Sequence, residues 1–249
     1  MKLAAACVVA LLIAPFSRAE GTFVDLLKSG TTQQVLSAIH AGADVRQSDR
    51  AGVTPLMIAS SRNPYAEVIL VLLAAGARVE ERDWIGGTPL MYAADSNPVP
   101  EVTRALLNAG ASPEDEDSMG ITVLAHAART NPNPAIVAAL ISAGAKVNRA
   151  GPGGMTPLMH AAEANPEPGV IKALIDAGAS VNAKNVTGRT ALLFAAESAV
   201  NPQVILVLLS AGADPAMEGS EGETAGSLAR RNPALRGTEA ADALGRGLP

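Results

Sequence analysis

The side chains that most often serve as nucleophiles and transition-metal ligands are scarce in this chain of 249 residues. It has a single cysteine, Cys7, and three histidines. The glycine-rich segment 151–154 (Gly-Pro-Gly-Gly) is not followed by the Gly-Lys-Thr/Ser of a phosphate-binding loop. Neither a Gly-x-Ser-x-Gly nucleophile elbow nor a His-Glu-x-x-His zinc motif occurs. The sequence therefore predicts that the protein is not an enzyme and needs no cofactor.

The charged residues do not form a recognisable site for a metal ion or a polyanion. The acidic run 114–117 lacks the alternation and spacing of a calcium-binding loop. The formal net charge is −5, whereas binding to nucleic acid phosphates requires clustered Lys and Arg residues. We therefore expect neither a metal ion nor a nucleic acid among the partners.

The first 19 residues have the pattern of a secretory signal peptide. Lys2 gives a positively charged start, residues 3–16 form an apolar run, and Ser17 and Ala19 place small residues before a cleavage site. The run is short for a membrane span, although an uncleaved anchor is the alternative interpretation. Cys7 lies within the run, so cleavage would remove the only thiol. We expect an exported protein, periplasmic or secreted, without a membrane span after cleavage.

Two sequence markers recur with a constant period of 34 residues. One is a threonine and the other is the glycine of an Ala-Gly-Ala triplet, and neither loses register through an insertion or deletion. Such a period is the signature of stacked repeats, in which each thin layer buries its apolar face on the next. The low aromatic content, 2%, suits such thin layers better than one deep core. The markers are Thr54, Thr88, Thr122, Thr156, Thr190 and Thr224, and Gly42, Gly76, Gly110, Gly144, Gly178 and Gly212.

Each cycle encodes two short helices joined by a tight turn. Thr54 can cap the first helix, and Pro55 fits its first turn, where an N–H group has no intrahelical partner. An Asn-Pro pair, such as Asn63-Pro64, ends this helix because proline cannot continue it. A second helix follows and ends at Gly76, where a positive φ is commonly needed. The pattern predicts a solenoid of helix-turn-helix units.

The blocks 52–56 (Gly-Val-Thr-Pro-Leu) and 154–158 (Gly-Met-Thr-Pro-Leu), each completed by an Ala-Gly-Ala triplet, closely resemble the ankyrin repeat. The resemblance covers roughly residues 22 to 231. There are two departures: Met57 replaces the histidine that usually follows Thr-Pro-Leu, and the period exceeds the usual 33 residues. The extra residue falls in the Asn-Pro turn. The resemblance implies an all-α ankyrin-repeat solenoid with β-hairpin-like fingers, capped at both ends.

The predicted organisation has four parts. Residues 1–19 are the signal peptide and 20–49 an N-terminal capping repeat. Residues 50–219 are five full ankyrin repeats, and 220–249 are a degraded C-terminal capping repeat and tail. Loss of the Thr-Pro-Leu motif in the two terminal blocks is expected, because terminal repeats need a polar outer face.

The resemblance also implies where a partner binds, namely across the fingertips before each threonine and along the concave face of the first helices. The expected partner is another protein, and the chain itself is expected to be monomeric. Carried over position by position, this surface consists of Arg50, Val53, Arg62, Trp84, Ile85, Tyr92, Asp95, Met119, Ile121, His126, Arg129, Met155, His160, Glu163, Arg189 and Phe194.

Trp84, the only tryptophan, lies at a predicted fingertip and is followed by Ile85. An exposed aromatic residue beside an aliphatic one is typical of an interface anchor, and tryptophan is enriched at binding hot spots. The alternative interpretation is that Trp84 folds back over the neighbouring finger and only covers it.

A stripe of mid-sized side chains falls on one face of successive first helices. It could grip an extended peptide or a helix, or it could be packing between layers. His126 and His160 belong to this stripe but cannot share a metal ion, since packed helices lie about 8–10 Å apart and a zinc–nitrogen bond is about 2 Å. The stripe comprises Ile58, Tyr92, His126, His160 and Phe194.

Charge is unevenly placed on the predicted fingers: 80–83 and 114–117 are acidic, and the next two fingers are basic. A partner could read this polarity as orientation, or the charge could simply keep the array soluble. The sequence as a whole predicts a bacterial, exported scaffold that binds a protein. The alternatives are an immunity protein that inhibits a toxic enzyme, suggested by the resemblance to periplasmic ankyrin proteins, and a structural or chaperone-like protein of the cell envelope.

Overall fold

The structure is a computed structural model and describes residues 22–246, so the predicted signal peptide lies outside the described residues. Within that range, inner and outer helices alternate along the chain. The inner helices are α1 (Phe23–Ser29), α3 (Pro55–Arg62), α5 (Pro89–Ser96), α7 (Val123–Thr130), α9 (Pro157–Ala164), α11 (Ala191–Ser198) and α13 (Ala225–Ala229). The outer helices are α2 (Thr32–His40), α4 (Ala66–Ala74), α6 (Pro100–Asn108), α8 (Pro134–Ser142), α10 (Pro168–Asp176), α12 (Gln203–Ser210) and α14 (Glu239–Arg246).

Each inner helix packs on the inner helix of the next layer, and each outer helix packs on the next outer helix. Small alanines such as Ala59 and Ala93 are fully buried between the inner helices, which allows the layers to approach closely. Leucine, isoleucine and valine of the outer helices complete a continuous apolar core. The all-α solenoid is thereby confirmed.

The predicted helix signals are confirmed at both ends of the repeat. The Thr54 hydroxyl oxygen accepts a hydrogen bond from the Met57 N–H group at 3.3 Å, and the other marker threonines cap their helices in the same way. The Met57 sulfur in turn accepts the Thr54 N–H at 3.4 Å. The methionine that replaces the usual histidine therefore completes the cap. Gly76 and its equivalents have positive φ, as expected.

A row of buried asparagines ends the inner helices and links each layer to the one before it. The Asn131 carboxamide donates to the carbonyl oxygens of Ala94 and Asn97, both at 2.9 Å, and its oxygen accepts the Asn133 N–H at 3.0 Å. These acceptors lie at the end of the preceding inner helix, where carbonyls lack intrahelical donors. We call Asn63, Asn97, Asn131 and Asn165 the asparagine row; Ala199 interrupts it, and Asn232 resumes it in the C-terminal cap.

The fingers are turns rather than extended hairpins. In the described part of the chain the one β-bridge joins Glu116 and Thr122. A turn such as 83–87 is closed by the Asp83 N–H donating to the Gly87 carbonyl at 3.1 Å. The Asp83 carboxylate stabilises the turn by accepting the N–H groups of Ile85 and Gly87 at 2.9 and 2.7 Å.

The C-terminal segment is more regular than a degraded repeat with a tail. Helix α13 is short, but α14 follows and packs on both α12 and α13. Leu235 and Ala240 are fully buried there, so much of the segment assigned to a tail completes the cap. In residues 22–246, no helix is long and apolar enough to cross a membrane.

Candidate binding surface

Two neighbouring fingertips expose a contiguous group of large apolar side chains. Trp84 is 78% exposed, Ile85 61% and Met119 63%. The fingers that carry them are held in register by backbone hydrogen bonds, from Trp84 N–H to the Ala51 carbonyl and from Ser118 N–H to the Ile85 carbonyl. This rigid apolar edge is the kind of exposed patch that marks an interaction site. We call Trp84, Ile85 and Met119 the fingertip patch.

The Trp84 side chain satisfies both interpretations offered for it. A Cβ atom at Gly52 would lie 3.2 Å from the indole Cδ1, so the ring does contact the preceding finger. Most of the ring nevertheless remains in contact with solvent. Glycine at position 52 therefore provides the space in which the tryptophan is oriented.

The other predicted fingertip positions are less prominent. Val53, Ile121 and Met155 are partly buried, whereas Arg50 is exposed. Met155 packs against the core. Three of the exposed apolar fingertip residues thus lie on two neighbouring fingers, and Val186, 78% exposed, lies on the fingertip of a later repeat.

The base of the second finger is joined to the groove by Tyr92. Its hydroxyl group donates to Asp83 at 2.7 Å, and the same carboxylate holds the finger turn. Burial raises the pKa of Tyr92, and the hydrogen bond to Asp83 raises it further. Tyr92 is therefore a neutral donor, and its ring forms part of the wall of the groove.

His126 occupies the equivalent position one layer further on and contacts two carboxylates. Its Nε2 atom lies 3.0 Å from Asp117 and its Nδ1 atom 3.9 Å from Asp95. Burial opposes protonation, but the two carboxylates outweigh it and raise the pKa of His126. The neighbouring His126 lowers the pKa of Asp95 to about 2, with support from the hydrogen bonds of Ser96 and Thr130. The carboxylates of Asp95 and Asp117 thus favour the protonated, positively charged form of His126.

These side chains surround a concave depression of about 380 Å³ between the second and third fingers. Its walls combine a charged rim, an aliphatic fingertip and two partly buried rings. The lining includes Arg62, Ile85, Tyr92, Asp95 and His126. Five of the predicted site residues are thus brought together at one place.

The C-terminal half of the predicted stripe is covered instead. His160 is 8% exposed and Phe194 7%. Arg189 lies over the Phe194 ring with its guanidinium carbon 4.3 Å from the ring centroid, and it also pairs with Glu197. For Phe194 the structure supports the packing alternative, because the fifth repeat fills its own groove with Arg189. His160 is buried as well, but its ring nitrogens have no hydrogen-bond partner among the described residues.

The other charged residues of the predicted surface differ in exposure. Arg62 and Arg129 are exposed and Glu163 is half-buried. Among residues 22–246, no group of three or more His, Cys, Asp or Glu residues is placed to hold a metal ion.

Many of the charged side chains on the acidic and basic fingers form ion pairs within the chain. Arg82 contacts Asp115 at 2.8 Å, and Arg149 contacts Glu116 at 2.6 Å and Glu114 at 3.2 Å. Each of these pairs joins adjacent fingers. Much of the charge that a partner is predicted to recognise therefore forms ion pairs that hold adjacent fingers together.

The sequence analysis missed the role of the first residue in each finger turn. Asp83 and Asp117 each stabilise their turn and also bind the groove residue nine positions later. A signal was present, since Asp or Asn recurs with the same period at positions 49, 83, 117 and 185. Positions 151 and 219, in the same register, are glycines instead.

Stacked helix pairs with exposed fingertips and a concave groove define a helical-repeat scaffold. A sequence profile described as ankyrin repeats (3 copies) matches residues 24–117, 67–151, 96–185 and 124–218. The chain therefore belongs to the ankyrin repeat family. Ankyrin repeat domains are protein-binding scaffolds and are typically not enzymes.

Solved structures support the fold. The chain is similar to the ankyrin repeat domain of human ASB11, with a TM-score of 0.77, 23% identity and coverage of 92% of this chain and 98% of that one. It is also similar to the ankyrin repeat domain of Bcl-3, described as a unique member of the IkappaB protein family, with a TM-score of 0.65 and 24% identity. That match covers 93% of this chain and 100% of the other. No curated protein matches the sequence.

Proposed function

We propose that the protein is an exported bacterial scaffold, periplasmic or secreted, that binds another protein through its fingertips and groove. The location rests on the signal-like pattern of residues 1–19. The mode of binding rests on one structural observation, the fingertip patch beside the open groove.

The fingertip patch suits a protein partner for two physical reasons. Large apolar side chains exposed to water gain free energy when a partner covers them, roughly 25 cal/mol per Å² of apolar area. Backbone hydrogen bonds between the fingers fix the patch before binding, so little conformational entropy is lost on association. The adjoining depression offers hydrogen-bonding groups from Tyr92, Asp95 and His126, which would provide specificity.

The proposal is tested by affinity capture from a cell-envelope extract. The bait proteins are the wild type and the double variant Trp84→Ala/Met119→Ala. The matched control is Leu70→Ala/Val200→Ala, because these residues are also exposed (54% and 70%) but lie outside the fingertips. We expect the wild type and the control to retain the same partner and the fingertip variant to lose it. Equal retention by all three baits would show that the fingertips are not the binding surface.

The identity of the captured protein separates the alternatives. A single toxic enzyme whose activity the scaffold inhibits would indicate an immunity protein. A broad set of envelope proteins, retained equally by every bait, would indicate a structural or chaperone-like role and contradict the proposed surface.

A further inference from the structure

The finger of the fourth layer, residues 151–155, differs from its neighbours at its first residue. In the fingers that begin at Asp49, Asp83, Asp117 and Asn185, a side-chain oxygen accepts the N–H groups two and four residues further along. Gly151 has no side chain to do so. The turn is nevertheless closed by the same backbone bonds, from Gly151 N–H to Met155 and from Gly154 N–H to Gly151. The turn 151–155 thus keeps its backbone hydrogen bonds and lacks the side-chain oxygen of the equivalent turns.

The next residue of this finger also lacks a group that its equivalents use. Trp84, Ser118, Val186 and Ser220 donate their N–H groups to the preceding finger, at 2.8–3.0 Å. The equivalent residue here is Pro152, which has no N–H group. Gly153 and Gly154 follow with φ of +65° and +74°. The turn 151–155 therefore lacks the backbone hydrogen bond by which the equivalent turns are joined to the preceding finger.

His160 stands where the missing carboxylate would be bound. In the second and third layers, the residue nine positions after the finger aspartate bonds to it: Tyr92 to Asp83 and His126 to Asp117. Both ring nitrogens of His160 are buried and, within residues 22–246, have no hydrogen-bond partner. Leaving such groups unpaired costs about 1–3 kcal/mol. In the C-terminal cap Gly219 also replaces the aspartate, but Leu228 stands opposite it and needs no partner.

A side chain at Gly151 would meet few atoms, although its Cβ would press on the Gly120 carbonyl oxygen, which would have to move by a few tenths of an ångström. A Cβ atom placed on Gly151 would have only the carbonyl oxygens of Gly120 and Met155 within 4 Å, at 3.1 and 3.9 Å. Gly151 is partly exposed and Gly153 is exposed, so solvent reaches this finger turn. We call the space between Gly151 and His160 the histidine niche.

The electrostatic surroundings of the niche favour an anion. Arg129, on the adjacent inner helix, is exposed and makes no ion pair within 4 Å among the described residues. Burial, followed by the positive charges of Arg129 and His126, lowers the pKa of His160 to about 4. The same charges that oppose a proton on His160 attract a carboxylate, and a bound carboxylate would reverse that effect.

We propose that the histidine niche receives the carboxylate side chain of an Asp or Glu residue of the bound protein. This residue takes the place that the finger aspartate holds in the second and third layers, so the partner completes the fourth finger in trans. The inference rests on the proposed binding function, because the niche adjoins the groove used by that partner. It adds a chemical requirement, an acidic residue, to the apolar contact at the fingertip patch.

The chemistry of the niche is tested without the partner. The ring signals of the three histidines are followed by NMR while sodium acetate is added at constant ionic strength, with sodium chloride as the matched salt. We expect a saturable shift of the His160 signal with acetate only, and about tenfold weaker binding in Arg129→Gln, as expected for the loss of one charge-assisted contact. No saturable shift of His160 would overturn the proposal.

A built-in carboxylate should occupy the same place. Gly151→Asp is expected to remove the acetate response and to raise the pKa of His160, as Asp117 does for His126. Gly151→Ala carries the same Cβ atom without a carboxylate and should keep the acetate response. If Gly151→Asp fails to fold, Gly151→Asn, whose carboxamide resembles that of Asn185, provides the comparison. An acetate response unchanged by an occupying side chain would contradict the assigned location.

The source of the carboxylate is tested with two blocked tripeptides, acetyl-Ala-Asp-Ala-amide and acetyl-Ala-Asn-Ala-amide. We expect only the aspartate peptide to shift the His160 signal. Binding of acetate but of neither peptide would mean that the niche takes a free small carboxylate, which would overturn the protein source. These measurements involve neither Trp84 nor Met119, so their failure would leave the capture experiment, and the proposed function, standing.

Discussion

The two ends of each inner helix use their repeated polar residues in opposite ways. At the loop end, the asparagine row makes nearly the same bonds in each layer, from one carboxamide to two carbonyls of the layer before it. At the finger end, the groove position carries Ile58, Tyr92, His126, His160 or Phe194. The loop end holds the stack together, whereas the finger end gives each layer a different surface.

The pattern is interrupted at both ends, and the interruptions at Ala199 and at Gly151 differ in their consequences. Ala199 interrupts the asparagine row and is itself buried and apolar, so it leaves no polar side chain unpaired. Gly151 interrupts the finger aspartates and leaves His160 without a partner in the described chain. An interruption that leaves a buried polar side chain unpaired points to an external partner, whereas an interruption by a buried apolar residue points to packing.

The largest effect is expected from breaking the asparagine row in the middle of the stack. Asn131→Ala removes two buried hydrogen bonds and a partly buried one, and it leaves the Ala94 and Asn97 carbonyls without this donor. We expect the free energy of unfolding to fall by about 3 kcal/mol, as measured by urea denaturation. The exposed Asn108→Ala on outer helix α6 is the matched control and should change it by less than about 0.5 kcal/mol. A similar loss of stability in both variants would mean that the asparagine row does not stabilise the stack.

The next effect separates the two histidines of the groove. His126→Phe should destabilise the fold because it removes the pairing with Asp117, whereas His160→Phe should stabilise it because it removes two unpaired buried nitrogens. Phe194 already occupies the equivalent position one layer on. Opposite signs at pH 7.5 are therefore expected, each of about 1–2 kcal/mol. A loss of stability in both variants would contradict the comparison.

The same pair of histidines should respond to acid in opposite directions. The folded-state pKa of His160 lies below its ordinary value, so its contribution to stability is present above about pH 6.5 and is lost as the pH falls toward 4. The folded-state pKa of His126 is raised, so its contribution is present below about pH 6.5 and is lost as the pH rises through the folded value. The advantage of His160→Phe over the wild type should therefore grow by about 2 kcal/mol between pH 7.5 and 5. Urea denaturation at the two pH values measures it.

A smaller effect is expected from repairing the interruption in the row. The backbone at Ala199 (φ −60°, ψ 128°) matches that at Asn63 (φ −75°, ψ 127°), so Ala199→Asn can offer its carboxamide to the Ala162 and Asn165 carbonyls. We expect a gain of about 1 kcal/mol in the free energy of unfolding. Ser198→Asn, next to it and exposed, is the control without such acceptors. A loss of stability in Ala199→Asn would mean that the buried site cannot accommodate the larger side chain.

Much of the fold could be predicted because its signals are local. The threonine caps, the glycines of positive φ and the buried alanines each follow from a residue and its immediate neighbours. The asparagine row could not be predicted in this way, since its acceptors lie 34–37 residues away. From the sequence the Asn-Pro pair indicates a stop set by proline. Inner helix α11, however, ends at the same place before Ala199-Val200, without asparagine or proline.

The site was only partly predictable for a related reason. The exposure of Trp84, Ile85 and Met119 follows from their positions at the tips of turns, and the sequence identified all three. Whether a side chain of the groove stripe has a hydrogen-bond partner depends on residues outside the stripe. His126 is paired because position 117 is Asp, whereas His160 is unpaired because position 151 is Gly. Phe194 is covered by Arg189. Equivalent positions in a repeat thus acquire different roles through single differences in the neighbouring turn.

The smallest effect on stability is expected at the finger end itself, in the fingertip patch. Trp84→Ala/Met119→Ala removes side chains that are 78% and 63% exposed, so little buried apolar area is lost on truncation. The free energy of unfolding should change by less than about 1 kcal/mol, most of it from the contact between Trp84 and Gly52. Urea denaturation of the same preparations used for capture provides the measurement. A variant that loses its partner while keeping its stability assigns the patch to binding, whereas a loss comparable to that of Asn131→Ala would mean that the patch is part of what holds the stack together.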